Sequence, residues 1–378
     1  MKGAWSNGTA RRRFAGADRF RKTPAPPRPS PCPAPRFVAG VRLVPSLRPF
    51  DLVRLRHLGY ACINTALGTK SRTVRLANLR TESVIPVVVQ NLDDVLAALQ
   101  WNVDRGLRFF RISSDLIPFG PLDAFPFDWA EAFDWQFRKI RRLVKAEGLR
   151  VTSHPGQYTV LNSPREKVVA DSVDELDFQA QVLKRMDPKG TMTLHVGGAY
   201  GDKVAAMDRF AQNLDRLSDD ARARLAIEND DTTYTLEETV GLAERTGLPV
   251  IVDLFHHILN PGGEADDEGR PLQTWDHGLV ELLDRAMATW GKRVPKLHLS
   301  SHKPGSRTGH ADYLDMADVD QLIGLMEQVG APDAPYDLML EAKKKEQAVL
   351  EVAHYLATGE APDRPIPMET VAEAEAAA

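Results

Sequence analysis

Short apolar runs rich in β-branched residues alternate along this chain with stretches whose apolar positions recur every three or four residues. The runs at 58–63 (LGYACI), 107–113 (LRFFRIS), 149–155 (LRVTSHP) and 192–197 (MTLHVG) are followed by 225–230 (LAIEND), 249–256 (PVIVDLFH), 296–301 (KLHLSS) and 337–343 (DLMLEAK). Runs this continuously apolar, bounded by turn residues, read as strands buried on both faces. Between them Leu92, Val95, Leu96, Leu99 and Val103 keep helical spacing, as do Phe133, Phe137, Ile140 and Val144, then Val204, Met207, Phe210, Leu214 and Leu217. The same spacing returns at Leu279, Leu282, Leu283 and Met287 and at Val319, Leu322, Ile323, Met326 and Val329. Eight βα units predict an α/β fold with a single TIM-type (β/α)8 barrel. The competing open, doubly wound sheet would place its ligand at one crevice and would not need polar residues at many strand ends.

Six of the runs end in a residue able to bind a divalent metal: His154, His195, Glu228, Asp253, His298 and Glu341. Alone, each has an ordinary explanation, a hydrogen-bonded structural histidine or an acid that caps the next helix. Together they do not. So many titratable groups at one barrel mouth would repel or stay unsatisfied without cations. Nitrogen and oxygen donors without thiolate favour Mn²⁺, Mg²⁺, Zn²⁺ or Co²⁺, and their number exceeds the demand of one ion, so two or three are expected. His256, three residues after Asp253, can fold back to the same ion, whereas His257 points elsewhere; His310 lies in the Gly-rich loop 305–310 (GSRTGH). His57, His277, His302 and His354 fall outside strand ends and read as surface or structural. Residues two apart on a strand share a face, which puts Lys296 in the interior beneath His298. An ammonium there must be neutralised by a lowered pKa, by a carboxylate partner, or by carbon dioxide adding to give an anionic carbamate, the favoured alternative.

Composition bounds the rest. The 378 residues are 43% apolar, enough for one large core, with a formal net charge of −4. The first 56 residues hold thirteen Lys or Arg against two Asp, about +11, leaving about −15 for the remainder. An acidic body would meet a polyanion only through a local basic groove and bound cations. Cys32 and Cys62 are the only cysteines, which suits a reducing cytoplasm, and no apolar run is long enough to span a membrane. Residues 1–55, with the segment 23–35 (TPAPPRPSPCPAP), read as a basic, Pro-rich disordered tail; 56–358 is the barrel, and 359–378 an Ala/Glu-rich end.

The motifs HPGQY (154–158), HVGGAYG (195–201), END (228–230), DLFHHILNP (253–261) and KLHLSS (296–301), then EAK (341–343) with Glu346 and Gln347, stand in one chain with LGYACIN (58–64) and RISSDLIPF (111–119). From about residue 56 to about 356 the chain strongly resembles the UV damage endonucleases. That resemblance implies a barrel related to endonuclease IV, with a divalent metal cluster, usually manganese. It implies nicking of duplex DNA immediately 5′ to cyclobutane pyrimidine dimers and 6-4 photoproducts, leaving a 3′-hydroxyl and a 5′-phosphate. The ligands it implies are His154, His195, Glu228, Asp253, His256, His298, His310 and Glu341. Glu228, Glu341 and Lys296 are the expected catalytic residues. Gln157 and Tyr158 would enter the duplex beside the lesion, and Tyr60 and Asn64 would line the same pocket. One departure is that 120–125 reads GPLDAF, with Leu122 where family members often carry a further His, so that Asp123 or water would have to substitute.

The expected partner is UV-damaged double-stranded DNA, met by a cytoplasmic monomer. Lys70, Arg72, Arg75 and Arg80, with Lys303 and Arg307, are the candidate phosphate contacts, although each alone reads as an ordinary solvated charge. Two rivals compete: a metal-dependent sugar isomerase or epimerase, which also suits an acidic barrel, and a DNA-binding barrel that has lost its metals. An intercalating Gln-Tyr pair and a basic rim separate the first from an endonuclease, and retention of all six strand-end ligands opposes the second.

Overall fold

The computed structural model describes residues 54–262, 277–330 and 334–363. The expected N-terminal tail and most of the Ala/Glu-rich end lie outside the described residues. Eight strands, β1 (Leu55–Ala61), β2 (Phe109–Ile112), β3 (Arg150–Ser153), β4 (Met192–His195), β5 (Leu225–Glu228), β6 (Val250–Asp253), β7 (Lys296–Leu299) and β8 (Tyr336–Leu340), form a closed barrel in chain order. Every neighbouring pair is parallel, and β8 returns to pair with β1. A helix follows each strand: α1 (Thr81–Asp104), α2 (Asp134–Glu147), α3 (Glu166–Met186), α4 (Lys203–Asn213), α5 (Leu236–Thr246), α6 (His277–Ala288), α7 (Met316–Met326) and α8 (Glu346–Thr358). The fold is therefore the TIM-type barrel expected from the alternation of runs.

Local chemistry sets these boundaries. Val84, Val88, Leu92, Val95 and Leu99 bury one stripe of α1. Thr235 and Glu238 make a reciprocal capping box at the start of α5, satisfying two N–H groups that the helix leaves free. Gly148 and Gly247, at φ 62° and 72°, end α2 and α5 in the left-handed conformation that glycine adopts without strain.

The strand register decides which side chains enter the barrel. Gly59, Phe109 and Arg150 share one level, and Ala61, Arg111 and Thr152 share the level above. A Cβ on Gly59 would lie 2.7 Å from the Phe109 ring, so only glycine fits opposite it. Farther round the barrel, neighbouring strands put His195 beside Glu228, Asp253 beside His298 and Lys296 beside Asp337. The lower end is closed by the fully buried Asp337, which takes Arg56 at 2.5 Å and Arg150 at 2.7 Å. The upper end, where the strands finish, holds the histidines and the remaining carboxylates.

Candidate metal centre

Strand alternation aims successive odd positions of one strand at the same interior, and here it delivers ligand-type residues at one height. His195, Glu228 and Asp253 are the last residues of β4, β5 and β6; His154 and Glu341 come one residue past β3 and β8; His298 is inside β7. With His256 they fall into three groups, His154 with His195 and Glu228, Glu228 with Asp253 and His256, and Asp253 with His298 and Glu341. Within each group, one donor atom per residue lies within 4.8 Å of the others. Glu228 and Asp253 each belong to two groups, so the three are joined through shared carboxylates. Glu228 Oε2 is 3.2 Å from His154 Nε2 and 3.5 Å from His195 Nε2, while Glu228 Oε1 is 2.5 Å from His298 Nδ1. His298 Nδ1 also stands 3.3 Å from Glu341 Oε1, and His256 Nδ1 is 3.7 Å from Asp253 Oδ2.

Other contacts orient these rings. His154 Nδ1 faces the Pro155 carbonyl at 3.0 Å, and His256 Nδ1 faces the Asn229 carbonyl at 3.0 Å. Each leaves Nε2 as the atom available to a metal, because a ring nitrogen engaged by a carbonyl fixes the tautomer. His310 is arranged the same way, its Nδ1 2.9 Å from the Glu341 carbonyl and 3.0 Å from Ser300 Oγ. It belongs to none of the three groups but lies 3.7 Å from Glu341 Oε2.

The donor set fits a cluster of divalent cations. Asp253 and His298 are fully buried, and Glu228 almost so. Yet Glu228 Oε1, Asp253 Oδ2, His195 Nδ1 and both ring nitrogens of His298 have no hydrogen-bond partner among the described residues. A buried acceptor left without a donor is costly unless a cation faces it. Burial raises Glu228, but His298 and His195 outweigh it and hold its carboxyl well below the usual range. Glu341 is likewise lowered, with Arg111 as the main charge opposing its burial. Burial lowers the His195 imidazole. Burial also lowers His256, but Asp253, Glu228 and Glu341 prevail and push it up to about 9.

A cleft of about 430 Å³ beside these groups is lined by Cys62, Arg111, His154, Gln157, His195 and neighbouring loop residues. Gln157 is exposed, and Tyr158 is 84% exposed, so its ring does not pack under the loop. Tyr60 and Asn64 are a different matter, and the pocket lining expected of them is not found. Both are fully buried. Because Gly59 and Ala61 face inward, Tyr60 points to the helix layer, where its hydroxyl donates to Asn102 Oδ1 at 2.7 Å and accepts from Asn64 Nδ2 at 2.8 Å. Its ring meets Phe110 edge-on. Asp123 belongs to none of the ligand groups, and Leu122 is 42% exposed.

Among the proposed phosphate contacts, Arg72 is tied to Asp94 at 2.5 Å. The described residues give Lys70, Arg75, Arg80, Lys303 and Arg307 no ion pair, and all five are exposed. Lys296 is fully buried, its amine donating to Thr193 Oγ1 at 2.5 Å, with no ion pair to it among the described residues. Arg111 was missed in the sequence. Its guanidinium pairs with Glu341 Oε1 inside the mouth. The signal was present in LRFFRIS, a cation two residues after Phe109 in the middle of an apolar strand.

The family model described as UV-endonuclease UvdE matches residues 56–368. The chain belongs to the UV-endonuclease UvdE family. The UV DNA damage endonuclease of Bacillus velezensis is 34% identical over 283 residues, covering 73% of this chain and 83% of that protein. The UV-damage endonuclease of Schizosaccharomyces pombe is 31% identical over 318 residues, covering 78% of this chain and 50% of that protein. The crystal structure of SacUVDE superposes with a TM-score of 0.71 at 33% identity, covering 79% of this chain and 97% of that one. Membership in the UvdE family makes this chain an endonuclease, and the sugar isomerase alternative is not favoured. No helix among the described residues is long and apolar enough to cross a membrane.

Proposed function

We propose that this chain is a divalent-metal-dependent DNA repair endonuclease that nicks duplex DNA immediately 5′ to cyclobutane pyrimidine dimers and 6-4 photoproducts, leaving a 3′-hydroxyl and a 5′-phosphate. The observation that carries the reading is the set of three ligand groups joined through Glu228 and Asp253, beside a cleft that includes Gln157 and adjoins the exposed Tyr158. In this reading His154, His195, Glu228, Asp253, His256, His298, His310 and Glu341 hold two or three ions, Mn²⁺ foremost, with Mg²⁺, Zn²⁺ or Co²⁺ as substitutes. Such ions, when bound, supply charge neutralisation for a phosphodiester and acidify a water molecule.

The chain's own residues do the rest. Glu228 and Glu341 keep their charge at the barrel mouth and, with Asp253, would hold neighbouring ions in register. Tyr158 stacks in the space that displaced bases leave, and Gln157 hydrogen-bonds the exposed partners. Lys296 contributes a further anion beneath His298 as a carbamate. No nucleophilic side chain is required. The partner is UV-damaged double-stranded DNA in the cytoplasm, and the enzyme acts as a monomer.

The deciding experiment is incision of a defined duplex carrying one pyrimidine dimer. Nicking at the 5′ side of the dimer with Mn²⁺, and none after chelation, is expected. Equal cleavage of undamaged duplex, or cleavage indifferent to metal, would remove the reading.

A further inference from the structure

Among the described residues, four that are not glycine carry a left-handed backbone, Cys62 at φ 74°, Phe119 at 61°, Tyr200 at 51° and Lys345 at 50°. All four lie in loops that leave the upper ends of β1, β2, β4 and β8, around the mouth of the barrel. Strained conformations of this kind persist where the surroundings over-determine them, and they gather at sites of function. Lys345 combines its φ with ψ −121°. That is the first corner of a type II′ turn, a position glycine normally fills. The turn is closed, since the Gln347 N–H donates to the Lys344 carbonyl at 3.0 Å.

The neighbours force this geometry. Glu346, fully buried, accepts the Thr65 and Ala66 N–H groups at 2.9 and 2.8 Å and the Thr65 hydroxyl at 2.5 Å. On the other side, the Lys343 and Lys344 N–H groups donate to the carbonyls of Ala311 and Asp312 at 3.0 and 2.9 Å. The turn is thus clamped between the loops after β1 and β7, and a glycine at 345 would satisfy it with less strain. A lysine is present instead.

Its side chain is half-buried, unlike those of Lys343 and Lys344, which are exposed. Burial lowers its amine, and the other groups acting on it are Cys62, Arg111, Glu341 and Lys343. Cys62 and Arg111 line the cleft beside the ligand groups. The described residues give Lys345 no ion pair, because Glu341 is already taken by Arg111. Arg111 in turn keeps a buried Nε without a partner. The turn that carries Lys345 is held against the β1 loop beside Cys62, so Lys345 adds a second cation near Arg111, whose one carboxylate partner is Glu341, and this side of the mouth has capacity for a further anion.

We propose that Lys345 is a DNA-binding residue whose ammonium takes a backbone phosphate beside the metal centre, on the side of the mouth formed by the β8 and β1 loops. This rests on the endonuclease reading. The phosphate is not the scissile one, which faces the ligand groups, but a neighbour on the same strand, so that Lys345 sets the register of the strand in the mouth. A lysine ammonium serves such a role as a point charge on a flexible stem.

Lys345→Gly provides the test, because glycine adopts this backbone without strain and the fold is not threatened. Mn²⁺ uptake is expected to be unchanged and the melting temperature unchanged or higher. Binding of UV-irradiated duplex should weaken, and the slope of log K against log[salt] should become shallower by about 0.9, the loss of one phosphate contact. Lys345→Arg should keep the wild-type slope. Wild-type affinity and slope in Lys345→Gly, or a lowered melting temperature or lost Mn²⁺ uptake in it, would overturn the inference. Failure of the parent reading looks different: wild-type protein then binds irradiated duplex no better than unirradiated duplex, and the inference falls with it.

Discussion

His298 Nδ1 and Glu228 Oε1 stand 2.5 Å apart, both shielded from solvent, and neither is aligned to hydrogen-bond the other. Two groups that close ordinarily share a proton along a straight line. Here two ligand-type atoms crowd one buried volume without a hydrogen bond between them, and each belongs to a neighbouring ligand group. His298 Nδ1 also looks at Asp253 Oδ2 from 3.9 Å and Glu341 Oε1 from 3.3 Å. The buried charge is concentrated where three carboxylates and one ring converge.

Glu228→Gln and Glu341→Gln are expected to abolish nicking while leaving the barrel folded. Each substitution keeps the side chain's volume and removes the charge that holds a cation. Loss of metal affinity should be no smaller than the ~10–100-fold that follows removal of an outer partner of a ligand. Metal analysis of the purified variants beside thermal melts decides the matter. Full nicking by either variant in metal-limited buffer would refute the assignment.

Tyr158→Ala should act on recognition alone. A ring that is 84% exposed contributes little to the core, so the melting temperature should hold. Lost stacking should cost roughly 1–3 kcal/mol of binding to damaged duplex, with metal content unaltered. Unchanged affinity for the damaged duplex would assign the exposed ring to some other purpose.

The barrel was legible because its eight strands are short apolar runs and because ligand-type residues close six of them. Less legible was α3, whose buried face includes Ser172 and Gln179. These serve loops rather than the core: Ser172 Oγ accepts from the Val160 N–H at 2.8 Å, and Gln179 Nε2 donates to the Ser114 carbonyl at 2.8 Å. Polar residues placed this way interrupt the apolar stripe that periodicity reads. In the site, residue type at a strand end sufficed for His154 or Glu341, but direction along β1 did not follow from LGYACIN. The inward face of β1 belongs to Gly59 and Ala61, and only the register with Phe109 and Arg111 reveals it. For the same reason Arg111 went unnoticed while Tyr60, its more conspicuous neighbour, was placed in the pocket.

Metal uptake should depend on pH through His256. Its imidazole is pushed up from 6.5 to about 9 by Asp253, Glu228 and Glu341 against the effect of burial. A raised folded-state value means that protonated His256 stabilises the metal-free barrel fully below pH 6.5 and loses that contribution as pH rises through about 9. A cation requires the neutral ring, so Mn²⁺ competes with this proton. Mn²⁺ affinity is expected to climb across that window by up to about tenfold per pH unit for one displaced proton. His256→Asn should flatten the climb in a calorimetric titration. A wild-type affinity independent of pH from 6.5 to 9 would contradict the assignment.

The last prediction concerns the lysine under the cluster. Lys296 shares its strand face with His298, is fully buried, and has, among the described residues, only the Thr193 hydroxyl as a hydrogen-bond partner, at 2.5 Å. The carboxylate that pairs with it at the same level of the sheet, Asp337, is already engaged by Arg56 and Arg150. A bare ammonium in that position faces a desolvation cost that Glu228 and Glu341 do not offset, since neither forms an ion pair with it among the described residues. Burial, reinforced by Arg150 and Arg111, accordingly holds the amine well below its ordinary value. A neutral amine is the form that adds carbon dioxide: the nitrogen lone pair bonds to carbon, a proton leaves, and a carbamate anion results. Placed two residues below His298, that anion would face the same cations as Glu228 and offset the repulsion between them. Metal-loaded protein exchanged with carbon-13 bicarbonate should show a carbamate carbonyl resonance that Lys296→Met lacks. The same variant should bind fewer ions or bind them less tightly. A free amine in metal-loaded wild-type protein, with metal content unaffected by Lys296→Met, would leave the lysine as no more than a neutral strut bonded to Thr193.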